Sequence, residues 1–278
     1  MGLGQTDRML IVGHGSRDTD SNQEFLDFVQ QYRQRYGDVV EAGFLELAQP
    51  NIPQGIARCV QQGAQHVTVL PLILLAATHV KLEIPEYLAS ARHQYPEVEF
   101  TYGRNVGLHP SFIELAQQRF EAMPAALMPR EGTGIVLMFR GSSDPDANGD
   151  AYKLSRLLWE KTGVATVETC FTGVTYPSVW EGVRRAAALG VKRIVIVPYF
   201  LFTGVLIKRV RGWLPELMAQ YPQIPIEMAH YFGPDPRMLD IVAQVASEAV
   251  AGKSYMNCDF CQYRLASTSA HSPERANA

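Results

Sequence analysis

Leu10-Ile11-Val12-Gly13-His14-Gly15-Ser16-Arg17-Asp18 has a second, altered copy in this chain, Val136-Leu137-Met138-Phe139-Arg140-Gly141-Ser142-Ser143-Asp144. Each copy runs from an apolar, strand-forming stretch into a polar turn broken by glycine. The shift between them is 126 residues, from position 14 to position 140. Further along, Ile56–Ala64 aligns with Val183–Val191, and Val67-Thr68-Val69-Leu70-Pro71-Leu72 with Ile194-Val195-Ile196-Val197-Pro198-Tyr199. There the shift is 127, from 71 to 198. A shift held to within one residue across separate motifs marks a duplicated unit.

Within one unit, strand and helix patterns alternate. A strand at 9–12 is followed by a helix over Gln23–Tyr36, where Phe25, Phe28, Val29, Tyr32 and Tyr36 recur at helical spacing. A strand over Val39–Leu45 follows. The next helix is entered through Pro50-Asn51-Ile52-Pro53, proline being tolerated in a first turn. A strand at 67–70, a helix over Val80–His93 and a strand over Val98–Tyr102 close the unit. Such alternation predicts an α/β fold of two tandem lobes, each a small parallel sheet flanked by helices. The lobes are placed at 1–125 and 132–252, with a tail at 253–278. The linker is Met123–Gly134, rich in proline and glycine. The tail's composition predicts disorder beyond about Leu265.

Composition narrows the function. With 278 residues, 47% of them hydrophobic and 19% charged, two ordinary lobes can bury cores. A net charge of −3 offers no basic face for nucleic acid. No apolar run reaches the roughly 20 residues needed to cross a bilayer. The greasiest stretch, Leu70 to Val80, is short and contains Pro71 and His79. Met1 to Asp7 lacks the basic flank and apolar core of a signal peptide, so a cytoplasmic protein is expected. Cys59 and Cys170 read as small buried hydrophobes. Cys258 and Cys261 form a C-x-x-C pair, the spacing of metal or redox thiols.

The chemistry concentrates in the first copy. His14 and His79 each follow a strand that ends at the carboxyl edge of a parallel sheet, where such sheets bind ligands. Glu46, in Phe44-Leu45-Glu46-Leu47-Ala48-Gln49-Pro50, ends another strand at that edge. It can serve as a third ligand or proton relay, or cap the following helix. In the second copy Arg140 replaces His14 and Leu206 replaces His79. Leucine cannot bind a metal, so one metal or proton site on two similar lobes is expected. Glu83 shares a helix face with His79 and reads as a solvated helix residue. No G-x-S-x-G elbow and no G-x-x-x-x-G-K-[ST] loop occurs, which argues against a serine hydrolase and against ATP-driven chemistry.

Val12-Gly13-His14-Gly15-Ser16-Arg17, Phe44–Pro50, Leu70-Pro71-Leu72 leading to Thr78-His79-Val80, and Glu83-Ile84-Pro85 together resemble the sirohydrochlorin cobaltochelatase family in its long, two-lobed form. Sirohydrochlorin ferrochelatases share these motifs. The resemblance covers nearly the whole chain. It implies ATP-independent insertion of a divalent metal into the tetrapyrrole sirohydrochlorin, in cobalamin or siroheme biosynthesis; the shared motifs do not name the metal, and Co²⁺ is expected ahead of Fe²⁺. By residue matching, His14 and His79 would handle the metal, with Glu46 as acidic helper. The octacarboxylate substrate would be met by Ser16, Arg17, Arg140 and Lys208, with Arg209 and Arg211 as further cationic candidates. Met256-Asn257-Cys258-Asp259-Phe260-Cys261 resembles the M-x-C-x-x-C tail of some long members, which holds an iron–sulfur cluster, although the histidine-rich stretch of the fullest form is missing. Two cysteines supply half the usual thiolates, so a cluster would need the pair from a second subunit, giving a homodimer through the tail, or other ligands. A non-catalytic tetrapyrrole or metal carrier on the same fold is the competing expectation. Retention of both histidines in one lobe favours catalysis.

Overall fold

The computed structural model describes residues 6–37, 39–123 and 129–252. Two four-stranded parallel sheets carry the structure. In the first, β1 (Asp7–Gly13), β2 (Val40–Phe44), β3 (His66–Pro71) and β4 (Glu99–Tyr102) lie in the order β2-β1-β3-β4. In the second, β5 (Thr133–Phe139), β6 (Thr166–Phe171), β7 (Arg193–Pro198) and β8 (Ile226–Met228) repeat that order as β6-β5-β7-β8. The predicted α/β fold and its duplication are both present. In each sheet the central strand is buried along its apolar run, from Met9 to Val12 and from Ile135 to Phe139. Covering helices on both faces account for those uninterrupted apolar runs.

Among the described residues, seven α-helices connect the strands and an eighth follows the last: α1 (Thr19–Tyr36), α2 (Ile52–Gln61), α3 (Ile84–Gln94), α4 (Pro110–Glu121), α5 (Pro145–Thr162), α6 (Val179–Ala188), α7 (Val205–Gln220) and α8 (Pro236–Val250). The N-caps follow from the sequence. Asp18 and Asp144 accept from the backbone N–H groups of Asp20 and Asp146, at the starts of α1 and α5. Asn51 caps α2 in a reciprocal pair with Gln54. Glu46 is therefore free of the capping role that the sequence left open to it.

The lobes do not bury separate cores. One apolar cluster runs from the inner face of the first sheet through Phe25, Phe28 and Phe112 to Phe139, Tyr199 and Phe232 of the second. The last helix of each half crosses over. Helix α4, encoded before the linker, packs on α5 and β7, and α8, at the end of the second half, packs on β3 and β4. Polar contacts seal the exchange. Arg104 pairs with Glu248 at 2.8 Å, His109 Nε2 meets Gln244 at 3.0 Å, and the Tyr199 hydroxyl donates to the Gly107 carbonyl at 2.8 Å. Two clusters remain private to a lobe, one under α2 and α3 and one under α6 and α7.

Three sequence expectations are revised. The linker stops before Thr133, because Thr133 and Gly134 pair with Arg193 and Ile194 as the first residues of β5. The helix expected over Val80–His93 is two pieces, a π-turn at His79–Glu83 followed by α3. Pro85 lies at the junction and has no N–H to carry the ladder onward. The fourth strand does not close the unit, since α4 follows it. Cys59 and Cys170 are buried, as expected. Cys258, Cys261 and the rest of the tail lie outside the described residues.

Candidate metal centre

Strand register brings the chemistry together. Gly13 pairs with Phe44 and Val12 with Pro71, so β1, β2 and β3 end side by side at one edge. The next residues along those three chains lead to His14, Glu46 and His79. Gly15 makes the first turn possible. Its φ is +86°, and a β-carbon there would lie 1.8 Å from the Glu46 carbonyl oxygen. Backbone bonds then lace the loops: the N–H of Leu45 donates to Gly13 O at 2.9 Å and that of Glu46 to His14 O at 3.1 Å.

His14, Glu46 and His79 each offer a ligand atom within 4.8 Å of the other two. The imidazoles meet edge to face, with ring centroids 4.7 Å apart. His14 Nδ1 lies 3.0 Å from Gly15 O and 3.7 Å from Glu46 Oε1, while its Nε2 lies 3.1 Å from Arg140 Nη1 of the other lobe. A guanidinium can only donate, so Nε2 accepts and Nδ1 carries the hydrogen. Burial, the Arg140 charge and His79 hold the His14 pKa below 6.5, in that order of importance, against the opposing pull of the Gly15 carbonyl and Glu46. These influences favour the neutral ring, the form that can bind a metal or accept a proton.

His79 opens the π-turn, and its Nδ1 meets Glu83 Oε1 at 3.0 Å. The carboxylate fixes the ring and leaves the other nitrogen available. Glu83 is therefore a partner of His79, a role its position at i+4 permitted and the sequence reading passed over. The π-turn is held by the Tyr102 hydroxyl, which donates to Val80 O at 2.8 Å. Single π-turns inside helices recur at functional sites.

His14 and His79 open onto a cleft of about 490 Å³ between the lobes, whose lining does not include Glu46. Ser16, Arg17, Arg140 and Arg209 line it, as do apolar residues such as Phe25, Leu72, Phe139 and Phe202. The Ser16 hydroxyl accepts from Asp18 N at 3.0 Å, and the Ser16 backbone is pinned by Asn22. Lys208 departs from expectation. Its ammonium reaches Asp18 and Asp20 of the first lobe at 2.7 Å each and is absent from the cleft lining. Two first-lobe carboxylates claim the charge that a substrate would otherwise meet. Arg211 does not line the cleft either.

One cross-lobe contact had no signal in the sequence. Lys81 Nζ lies 2.8 Å from Asp144 Oδ2 and 2.7 Å from Asp146 Oδ2, with only 4% of its side chain exposed. Burial would lower its pKa, but the two carboxylates outweigh that and raise it. Lys81 sits two residues from His79, so this pair ties the π-turn to the N-terminus of α5.

The fold and this edge-on trio define a duplicated α/β protein that, among the described residues, gathers a histidine–carboxylate cluster at one sheet edge. The chain belongs to the CbiX family, whose model matches it twice, over residues 8–123 and 134–249. It is 45% identical over 258 residues to a sirohydrochlorin cobaltochelatase of Priestia megaterium, spanning 92% of this chain and 84% of that one. It is 33% identical over 247 residues to a sirohydrochlorin ferrochelatase of Bacillus subtilis (strain 168), spanning 87% and 92%. The solved structure of SirB from Bacillus subtilis with Fe³⁺ superposes with a TM-score of 0.77 at 32% identity, covering 89% of this chain and 96% of that one.

Proposed function

We propose that this chain is a sirohydrochlorin chelatase, a lyase-type enzyme that inserts Co²⁺, or Fe²⁺ as the second choice, into sirohydrochlorin without ATP. The observation that carries the reading is the His14–Glu46–His79 trio, three donors within 4.8 Å of one another beside an interlobe cleft that both histidines line. The names of its full-length relatives supply the substrate. Nitrogen and oxygen donors of this kind suit both metals, so the trio does not choose between them.

Insertion exchanges two pyrrole N–H protons for one divalent ion. His14 and His79 hold the ion at the cleft wall, with bonds labile enough to be traded for pyrrole nitrogens. Glu46, 3.7 Å from His14, takes the released protons together with an imidazole as the ion departs. Ser16, Arg17 and Arg140 meet substrate carboxylates, since guanidinium groups pair with carboxylates and cannot ligate a cation at neutral pH. Lys208 is left out of that set because Asp18 and Asp20 engage it.

The lobes are taken as 1–125 and 132–252, with the tail at 253–278. Cytoplasmic residence and service to cobalamin or siroheme biosynthesis are part of the proposal. Among the described residues no helix is long and apolar enough to cross a membrane. The tail's Cys258-x-x-Cys261 pair is proposed to share an iron–sulfur cluster across a homodimer, on its spacing alone. Incubating the purified chain with sirohydrochlorin and each metal, and following absorbance, tests the main reading. Enzyme-dependent metallation with turnover is expected. Stoichiometric binding without insertion would instead make the chain a carrier.

A further inference from the structure

Leu47 follows Glu46 and lines the same cleft. Its φ is 60°, in the left-handed region that residues other than glycine seldom adopt, and it is 54% exposed. Both features work against the folded chain. The backbone is strained, and an isobutyl group is left facing water. A glycine at this position would relieve both.

The backbone path explains the φ but not the leucine. Glu46 N is tied to His14 O, and by Pro50 the chain has returned to give its carbonyl to Phe44 N at 2.7 Å. A left-handed residue between those two ties turns the segment back on itself. The second lobe has the same turn at Val174, with φ 68°. The turn belongs to the fold, and the side chain on it is a choice of the sequence. Among the exposed large apolar residues described, two line the cleft, Leu47 from the first lobe and Val205 from the second. Val174 does not line it.

We propose that Leu47, assisted by Val205, is a substrate-positioning contact that presses on the apolar face of the macrocycle and holds the ring against the His14–Glu46–His79 trio. This rests on the chelatase reading. A tetrapyrrole of this class is a broad apolar ring fringed by carboxylates. Charged groups fix the fringe, and fringe contacts alone leave the ring centre free to tilt. An aliphatic side chain beside Glu46 fixes the height of the ring over the donors. Burial beneath the ring also returns to Leu47 the apolar contact it lacks in the free chain.

The test uses the full chain carrying Leu47→Gly or Leu47→Phe. Three quantities are measured: the sirohydrochlorin dissociation constant by fluorescence quenching, Co²⁺ binding without tetrapyrrole, and the thermal midpoint. Leu47→Gly should weaken sirohydrochlorin binding by about tenfold. Its midpoint should stay level or rise, with Co²⁺ binding little changed. Leu47→Phe should recover most of the tetrapyrrole affinity. An unchanged sirohydrochlorin constant in Leu47→Gly would overturn the contact while leaving the chelatase reading standing. A falling midpoint with a parallel loss of Co²⁺ affinity would overturn it too, making Leu47 a structural support for Glu46. A wild-type chain that takes up no sirohydrochlorin defeats the chelatase reading, and this contact with it.

Discussion

The first lobe places His14, Glu46 and His79 at its sheet edge, and the second places Arg140, Gly173 and Leu206 at the matching positions. All three members of the trio are lost together, while the strand order, the helix caps and the left-handed turn survive. Local backbone differs at the same place. His79–Glu83 form a π-turn, whereas their counterparts Leu206–Val210 lie in regular α7. Duplication supplied two copies of a scaffold, and the second became a wall that offers a cation where the first offers imidazole. A cleft with donors on one side and charge on the other can present a metal ion to one region of an anionic ring.

The largest expected effect tests whether the donors are confined to one lobe. His79→Ala should lower metal insertion by roughly 100-fold or more, since on the proposed reading it removes a ligand held in place by Glu83. His14→Ala should act in the same direction, less severely if one imidazole suffices. Leu206→Ala should leave Co²⁺ binding unchanged. Insertion rates with saturating Co²⁺ and Fe²⁺, on variants with wild-type circular dichroism, decide the matter. Near-normal rates in His79→Ala would remove the asymmetry on which the reading depends.

A second contrast concerns two lysines at equivalent positions, shifted by 127 residues. Lys81 reaches from the first lobe to Asp144 and Asp146, and Lys208 from the second to Asp18 and Asp20. The pairs are related by the duplication but differ in burial: Lys81 is 4% exposed and Lys208 51%. Removing one partner of a buried pair leaves an uncompensated charge, here Asp144 at 3% exposure. Lys81→Met should therefore cost about 3 kcal/mol of stability in urea unfolding. Lys208→Met should move the midpoint little, because water screens an exposed pair. Equal losses in the two variants would show that the lobes are clamped symmetrically.

What the sequence disclosed and what it hid separate along physical lines. Strand ends, turns and caps are set by neighbours a few residues away. That is why Gly13-His14-Gly15, the β2–α2 turn and the edge position of His79 could be read directly. The exchange of α4 and α8 was hidden, because an amphipathic helix carries no mark of which sheet it will cover. Lys81 gave no sign of its partners 63 and 65 positions away. Lys208 offers in sequence only a cation suited to a polyanion, and the fold alone brings Asp18 and Asp20 to it. The π-turn is indistinguishable from regular helix in sequence, since nothing in His79-Val80-Lys81-Leu82-Glu83 forbids an α-helix.

A smaller effect is expected across the cleft. Arg140→Ala should raise the KM for sirohydrochlorin by roughly tenfold, about 1.4 kcal/mol, with a lesser change in the apparent affinity for Co²⁺. Steady-state kinetics varying each substrate in turn distinguishes the two. A change confined to the metal would mean that Arg140 acts through His14 and not on carboxylates.

The last and smallest effect reads that cross-cleft contact through protons. Free imidazole titrates near 6.5, and His14 lies below that value because it is buried, with the Arg140 charge as the next cause. As pH falls, the unfolded chain therefore takes up this proton before the folded one does. The contribution of His14 to stability is fully present above pH 6.5 and is lost as pH drops from there through the lower folded value. Arg140→Gln removes the positive neighbour and leaves burial in place. The His14 pKa should then rise toward 6.5 without reaching it, and the window of acid loss should narrow from its lower end. Ring-nitrogen NMR of His14 in the wild type and Arg140→Gln measures the shift directly. An unmoved pKa would mean that the guanidinium, at 3.1 Å from Nε2, does not bear on His14 in solution, and that the second lobe contributes a surface to the cleft without tuning the donors opposite.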